Sequence, residues 1–386
     1  MASDEKHLAS QGRFVQQVFF AGRMLRRAAY AAVAALLCSA LLHAQKATTP
    51  TAPATVPPAA PASREITDET GRTIRIPQSI HRIVSLAPSL TETIYALGLQ
   101  ERLVGDTDYC DFPPEAQKIS KVGGAINPSL EAIAALHPDL VLVTKSLNRL
   151  DTVRALADLG IPSYATDPHT VDDIISSTQR LAELLGSPEA GVAIAKDLER
   201  RLADTQQRIA SLPQRRVLFV VWTEPLISVG KDTFIADALL HAGAISIVDS
   251  SQSWPQISLE EVVRQQPDFL IFAESHAEAA PPDVEALSSL PGWRILDAVR
   301  NRHYALVSDA VNRPAIRIVA AIEDLAKQLH PEAFPYQPGK SELKPESGNT
   351  VIPQNTVPPS MSMLSLSSSQ FAAQYPSAPE EIACAL

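Results

Sequence analysis

An internal repeat constrains the fold of this chain more than any other feature. Residues 129–143 read SLEAIAALHPDLVLV and residues 258–272 read SLEEVVRQQPDFLIF, so the two segments match at a constant offset of 129 positions. In each copy, a serine and a first-turn glutamate precede apolar residues at helical spacing, which predicts a capped helix. Pro-Asp then ends the helix, and a continuous apolar run follows, as in a parallel strand buried on both faces. We therefore predict a duplicated helix–strand unit and two related lobes.

The segments around the repeat predict the same architecture in both halves. The further predicted elements are strands at residues 82–86, 103–105 and 217–222, and helices at residues 90–97 and 234–241. Strands that alternate with helices are typical of α/β domains. We expect mainly parallel sheets flanked by helices.

One long helix is predicted between the lobes. The segment 171–211 has a single interruption, at Gly186 and Pro188, and apolar residues recur at helical spacing after it. A helix of about 20 residues is about 30 Å long, which is enough to reach from one lobe to the other. We expect one spanning helix, with a ligand cleft between the lobes at the carboxyl ends of their strands.

Composition divides the remaining chain into targeting and tail segments. Three arginines precede an uncharged run at residues 28–42, which predicts a signal peptide and export to the periplasm; an uncleaved anchor, or a lipid on Cys38, is the alternative. The predicted organisation is a signal peptide (1–45), a Pro/Ala/Thr linker (46–63), an N-terminal lobe (64–170), a spanning helix region (171–211), a C-terminal lobe (212–335) and a disordered tail (336–386).

Charge and motifs exclude several classes of function. The chain has 33 basic and 43 acidic residues, a net charge of −10, which disfavours nucleic-acid binding. Its three cysteines form no C-x-x-C pair, so a thiol-ligated metal site is not expected. No catalytic motif flags a reaction, and we predict no enzyme activity, no metal site and no cofactor. The simplest interpretation is a binding protein.

Three motifs support a family resemblance. Residues 82–98 (RIVSLAPSLTETIYALG), residues 104–114 (VGDTDYCDFPP) and the repeated SLE…PD units resemble the helical-backbone solute-binding proteins of bacterial ABC importers. The resemblance covers roughly residues 64–334. It implies a monomeric periplasmic protein that binds a small molecule and delivers it to a membrane permease and its ATPase.

The resemblance favours one ligand class and leaves others open. It is greatest to members that bind cobalamin (vitamin B12), which implies cobalamin or a related corrinoid as the ligand. A ferric siderophore or haem is the alternative on the same fold. An enzyme or a signalling adaptor that reuses the scaffold is a third possibility.

The resemblance also implies a set of ligand-binding residues. They are Tyr109, Trp222, Trp254, Asp309, Asn312 and Arg313. Aromatic faces suit a flat macrocycle, and Asn312 and Arg313 are expected to hydrogen-bond its peripheral amides. For Trp222, burial inside the second lobe is the alternative, and we expect Tyr109 at the mouth of the cleft.

Two glutamates are the implied docking residues. In this family one surface glutamate on each lobe contacts arginines of the permease, and the matching positions are Glu131 and Glu260, which the repeat also picks out. The alternative is that each carboxylate only stabilises its own helix, and Glu261 competes with Glu260 for the role. The chain departs from the family at Gly123-Gly124, where an aromatic residue is expected; this implies a wider cleft or fewer stacking contacts. It also lacks a cysteine pair in the second lobe.

Overall fold

Two four-stranded parallel sheets form the centre of the structure, a computed structural model that describes residues 62–273 and 287–335. All of these residues fall within one compact unit. The predicted signal peptide, most of the linker and the C-terminal tail lie outside the described residues.

The described chain begins with an antiparallel hairpin that the sequence analysis did not predict. Its strands are β1 (Ser63–Thr67) and β2 (Thr73–Pro77). In the turn between them, Asp68 accepts hydrogen bonds from Thr70 and Arg72. The hairpin was missed because its strands are short and polar on their outer face.

The N-lobe (residues 62–166) holds the first parallel sheet, with the strand order β4-β3-β5-β6. Its strands are β3 (Ile83–Ser85), β4 (Leu103–Gly105), β5 (Leu140–Thr144) and β6 (Ser163–Thr166). Its helices are α1 (Pro88–Ala96), α2 (Leu130–Ala135) and α3 (Leu150–Asp158).

Two helices follow, α4 (Val171–Leu185) and α5 (Pro188–Ile209), and they connect the N-lobe to the C-lobe.

The C-lobe (residues 215–273 and 287–335) holds the second parallel sheet, with the order β10-β7-β11-β12. Its strands are β7 (Arg215–Val220), β8 (Trp222–Thr223), β9 (Leu226–Ile227), β10 (Ala244–Ser246), β11 (Phe269–Ala273) and β12 (Tyr304–Val307), of which β8 and β9 form a separate antiparallel pair. Its helices are α6 (Phe234–His241), α7 (Leu259–Gln265), α8 (Asp297–Arg300) and α9 (Ile318–Leu329). Short 3-10 turns occur at Gln100–Arg102, Pro114–Lys118, Trp293–Ile295, Asp309–Asn312 and Pro331–Ala333. None of the helices in the described ranges is long and apolar enough to cross a lipid bilayer.

The two sheets have the same topology. In each, the second strand along the chain lies at one edge, and the first, third and fourth strands follow in order. Along β5, Leu140 and Leu142 pack into one core cluster while Val141 and Val143 pack into another, so both faces of the strand are buried. This is the burial that the continuous apolar runs predicted. The prediction of two related α/β lobes is confirmed.

The repeated segments adopt matching conformations. Ser129 caps α2 and Ser258 caps α7, each through its side chain. At the end of each helix one residue, His137 or Gln266, takes a left-handed conformation with φ of 45° and 47°. Residues that lie 129 positions apart in the two copies therefore adopt the same backbone conformation.

The aspartate of each Pro-Asp pair joins neighbouring strands. Asp139 Oδ2 accepts the backbone N–H groups of His81 and Arg82, at 2.7 and 2.9 Å, where the chain enters β3. Asp268 Oδ2 accepts the N–H of Arg216 at 2.7 Å, in β7. Each carboxylate thus links the start of one inner strand, β3 or β7, to the start of the neighbouring inner strand, β5 or β11. This role was not predicted from the sequence.

The connection between the lobes contains two spanning helices, and the prediction of a single one is incomplete. On α4, Val171 and Ile174 pack in a C-lobe core cluster, whereas Leu181 and Leu185 pack in an N-lobe cluster. On α5, Ile194 contacts both clusters. The crossing of α4 was not predicted because Gly186 and Pro188 interrupt the helical pattern, and only the helix after this interruption was identified as spanning the lobes.

Gly191 sets the close approach of α4 and α5, and this generates a test. A Cβ atom at Gly191 would lie closer to Ala182 Cβ than two nonbonded carbons approach. We predict that Gly191→Ala destabilises the protein by about 1–3 kcal/mol through overpacking, despite the better helix propensity of alanine. Urea unfolding measures the change.

A second variant, alone and in combination, separates overpacking from the effect of helix propensity. Ala182→Gly alone should cost about 1 kcal/mol in helix propensity and about 1 kcal/mol more for the buried methyl group that it removes. The double variant Gly191→Ala/Ala182→Gly should lose less stability than the sum of the two single variants, because the glycine makes room for the new methyl group. Strict additivity would contradict the close-approach explanation.

Candidate functional site

A cavity of about 390 Å³ lies where the carboxyl ends of strands from both lobes converge. The N-lobe contributes the start of α1 and the segments that follow β5 and β6; the C-lobe contributes the start of α6 and the segment after β12. Its lining residues are Ala87, Pro88, Ser89, Thr144, Lys145, Ser146, Leu147, Asp167, Pro168, His169, Asp232, Thr233, Phe234, Ser253, Trp254, Asn312, Arg313 and Pro314. The expected cleft between the lobes is therefore present.

The structure separates the predicted ligand-binding residues into two groups. Trp254, Asn312 and Arg313 line the cavity, and Trp254 also packs against the C-lobe core. Tyr109, Trp222 and Asp309 are not among the described residues that line it.

Tyr109 and Trp222 are both exposed, 39% and 42% respectively. Trp222 is the first residue of β8, two positions after the end of β7, and its Nε1 donates a hydrogen bond to the carbonyl of Glu224 at 2.9 Å. The alternative that Trp222 is buried in the second lobe is therefore wrong. Tyr109 follows β4 and Trp222 follows β7 along the chain, so each comes after the carboxyl end of a strand of its own sheet.

A buried polar contact supports the loop that carries Tyr109. Lys121 Nζ donates to Asp106 Oδ1 at 2.8 Å and to the carbonyls of Cys110 and Ala116 at 3.1 and 3.2 Å. Asp106 is completely buried. Burial raises the pKa of Asp106 to about 6, against the opposing effect of the Lys121 charge. One lysine thus holds together three points of the loop on either side of Tyr109.

The glycine pair that departs from the family lies close to Tyr109. A Cβ atom at Gly124 would be 3.9 Å from Tyr109 Cε2, and Gly123 has a φ of +94°. A larger residue at Gly124 would extend directly toward this ring, so the small residue leaves one side of Tyr109 open.

The two lobes also meet through a cluster of buried and half-buried charges. We call Glu92, Asp111, Asp309, Arg313 and Arg317 the cross-lobe ion cluster. Arg313 Nη1 donates to Glu92 Oε1 at 2.9 Å and to Asp111 Oδ1 at 2.7 Å. Arg317 donates two hydrogen bonds of 2.8 Å to Glu92, one to each carboxylate oxygen. The two acceptors belong to the N-lobe and the arginines to the C-lobe, so these bonds tie the lobes together.

Two further contacts complete the cross-lobe ion cluster. Asp309 lies 3.3 Å from Arg313 Nε and 3.5 Å from Arg317 Nη1, and the Arg317 guanidinium stacks 3.9 Å above the ring of Phe112. Burial alone would lower the pKa of Arg313, but the hydrogen bonds to Asp111 and Glu92 raise that pKa above its ordinary value. Removing one member of such a buried pair typically costs about 3–5 kcal/mol, because its partner is left charged and unpaired.

Arg313 therefore has a role between the lobes that the resemblance did not imply, in addition to lining the cavity. It was expected to hydrogen-bond a ligand amide, and its Nη1 donates to two carboxylates of the other lobe. Sequence reasoning missed Glu92 and Asp111 because both lie more than 200 positions away from Arg313. The one available signal was a glutamate in the middle of the apolar stretch around α1, where a buried charge requires a partner.

A second charged pair lies on the N-lobe side of the cavity. Lys145 Nζ is 2.5 Å from Asp167 Oδ2, and His169 Nε2 is 3.3 Å from Asp167 Oδ1. In the part of the chain that the structure describes, no three His, Cys, Asp or Glu side chains are grouped in a way that would hold a metal ion.

The two glutamates of the repeat lie on the surface. Glu131 and Glu260 are exposed in the first turns of α2 and α7. The competing Glu261 is engaged within its own helix, because its carboxylate accepts hydrogen bonds of 2.6 to 2.9 Å from Arg264. The repeat thus presents one exposed carboxylate at the equivalent position of each lobe.

Comparisons with known proteins give a consistent result. A family model described as "Periplasmic binding protein" matches residues 83–310. The vitamin B12-binding protein of Vibrio cholerae is 32% identical over 256 residues, which cover 66% of this chain and 90% of that protein.

Solved structures are similar over the same region. The periplasmic vitamin B12-binding protein BtuF of Vibrio cholerae has a TM-score of 0.57 at 29% identity and covers 66% of this chain and 98% of its own. The periplasmic haem-binding protein RhuT of Roseiflexus sp. RS-1 has a TM-score of 0.59 at 26% identity, with coverage of 66% and 99%.

The buried Asp106 predicts a specific pH dependence of stability. Its pKa in the folded protein is about 6, above the ordinary value of 3.8, so the folded state holds more protons between these two pH values. Stability from this group is present below about pH 4 and is lost as the pH rises through 6. The difference in unfolding free energy between wild type and Asp106→Asn should therefore fall by on the order of 2 kcal/mol between pH 4 and pH 7.

Asp68 provides a control of opposite sign. Burial alone would raise the pKa of Asp68, but hydrogen bonds from Thr70 and Arg72 outweigh burial and lower it. The advantage of wild type over Asp68→Asn should shrink as the pH falls below 4. Denaturant unfolding from pH 3 to pH 8 measures both variants, and a flat difference for Asp106→Asn would contradict the prediction.

Proposed function

Because the chain belongs to the periplasmic binding protein family, we propose that it is the substrate-binding component of an ABC importer. It captures cobalamin or a related corrinoid in the cavity between its lobes. It then delivers the ligand to a membrane permease driven by an ATPase, and it acts as a binding protein without catalysing a reaction.

The observation that carries this proposal is the composition of the cavity wall. The carboxyl ends of two parallel sheets bring together the aromatic side chains of Phe234 and Trp254 with neutral polar groups such as Ser89, Thr144 and Asn312. Flat aromatic and aliphatic surfaces suit a macrocycle, and hydroxyl and amide groups suit the carboxamides at its rim. Relatives named for vitamin B12, about 30% identical to this chain, support the same ligand class.

The exposed aromatic residues extend this surface. A corrinoid is larger than the cavity of about 390 Å³, so in the proposal part of the ligand extends beyond the cavity. Tyr109 and Trp222 expose their rings at the carboxyl edges of the two sheets. In the proposal they contact the outer part of the ligand, one from each lobe.

The proposed location is the periplasm. The basic and uncharged segments within residues 1–45 have the pattern of an export signal. These residues lie outside the described part of the chain, so the location rests on their sequence and on the family.

Glu131 and Glu260 are the proposed contacts to the permease. Both carboxylates are exposed, and they occupy equivalent positions in the two lobes. Two matched anionic groups suit a permease that presents cationic side chains with approximate two-fold symmetry.

The ligand assignment is tested by calorimetric titration with cyanocobalamin. Wild type should bind at micromolar concentration or below, and Trp254→Ala should bind about tenfold more weakly, because it loses an aromatic contact of about 1 kcal/mol or more. Phe334→Ala removes an aromatic residue that stacks on Arg208 instead, and it should leave the affinity unchanged. Absence of heat with wild type, together with tight binding of haemin or a ferric catecholate, would contradict the corrinoid assignment.

The docking residues are tested with the permease reconstituted in liposomes. Glu131→Ala and Glu260→Ala should each weaken binding to the permease several-fold, and the double variant should weaken it further, since each removes one charge pair at the interface. Cyanocobalamin affinity should not change in either variant. Glu261→Ala is the matched control, because its carboxylate pairs with Arg264. Equal losses for Glu260→Ala and Glu261→Ala would argue against the assignment.

A further inference from the structure

Every cation that lines the cavity already has a carboxylate partner. Among the described lining residues, Lys145 and Arg313 are the cationic ones at neutral pH. Lys145 pairs with Asp167 at 2.5 Å, and Arg313 pairs with Glu92 and Asp111 at 2.9 and 2.7 Å. The positive charge that faces the cavity is therefore neutralised from within the protein.

The charge balance around the cavity is negative. The lining residues and the cross-lobe ion cluster together contain three cations, Lys145, Arg313 and Arg317, against five carboxylates. The five are Asp167, Asp232, Glu92, Asp111 and Asp309. An incoming anion thus meets an excess of like charge.

Burial makes this arrangement difficult for an anionic ligand to rearrange. Glu92 is 3% exposed and Arg313 is 8% exposed, so their attraction is only weakly screened by solvent. A ligand carboxylate that replaced Glu92 at Arg313 would leave Glu92 charged in the interior, and one placed beside Asp111 would meet like charge. A carboxamide carries no net charge and requires no such displacement.

We propose that Glu92 and Asp111 are specificity determinants, which make the cavity reject anionic ligands by neutralising Arg313 and Arg317. This inference rests on the proposed function, because it concerns which macrocycles the same cavity accepts. Rims of neutral amides are accepted, whereas rims of carboxylates or catecholates are rejected through like-charge repulsion. The cross-lobe ion cluster therefore selects the ligand in addition to joining the lobes.

A matched pair of ligands tests the inference. Cyanocobalamin and its monocarboxylic acid derivatives differ by one amide replaced by a carboxylate. Wild type should bind at least one monocarboxylate isomer about tenfold or more weakly than cyanocobalamin. In Asp111→Asn, where the neutral amide removes one negative charge beside Arg313, this ratio should fall by about tenfold while the affinity for cyanocobalamin changes less than threefold.

Two further variants guard against loss of the fold. Glu92→Gln keeps the shape of the side chain and should lower the ratio in the same direction, and circular dichroism and thermal unfolding confirm that each variant is folded. Asp324→Asn removes an exposed carboxylate that pairs with Lys327, and it should leave the ratio unchanged. A merely structural role for the cluster would change both affinities equally and leave the ratio of the two ligands constant.

Each outcome separates the inference from the proposed function. If wild type binds cyanocobalamin but binds all monocarboxylates equally well, the specificity role is wrong and the proposed function stands. The same conclusion follows if the ratio is identical in wild type, Asp111→Asn and Glu92→Gln. If wild type does not bind cyanocobalamin at all, the proposed function fails, and the inference fails with it.

Discussion

The inner strands of both central sheets are buried on both faces, and this condition organises the rest of the structure. A parallel strand covered on both faces needs helices above and below it. Each crossover returns the chain to the end of the sheet where the strands begin. All loops that follow the strands therefore gather at the carboxyl edge. Two such sheets, joined by α4 and α5, bring two sets of loops together, and the cavity lies between them. The site is thus a consequence of the topology before any particular side chain is considered.

The second organising contact is the cross-lobe ion cluster. Glu92 enters it from the first helix of the N-lobe, and Arg313 and Arg317 enter it from the end of the C-lobe. Arg317 forms a bidentate pair with Glu92, and Arg313 donates one hydrogen bond to the same carboxylate. The lobes are therefore joined covalently through α4 and α5 and non-covalently through the cross-lobe ion cluster. The same residues decide how the lobes are joined and what electric field a ligand meets.

Local patterns predicted a large part of this structure. The bounds of β4 and α6 agree with the predicted segments, 103–105 and 234–241. Ser129 and Ser258 cap their helices as their spacing indicated. The first hairpin was missed because its strands are short and polar, and the crossing of α4 was missed because a helix pattern does not record which core each turn contacts. Of the candidate site, Trp254, Asn312 and Arg313 line the cavity, but the only sequence signal for a partner of Arg313 was the glutamate within the apolar stretch around α1.

Local sequence patterns were enough to predict the two lobes, their strand and helix periodicity, and one glutamate at the start of an equivalent helix in each. These properties are local, because a helix turn or a strand alternation involves residues a few positions apart. The folded chain alone shows that Arg313 and Arg317 meet Glu92 and Asp111, and hence that the cations near the cavity are neutralised. Such a pairing depends on where two lobes lie in space. Residues more than 200 positions apart become neighbours only when the whole chain has folded.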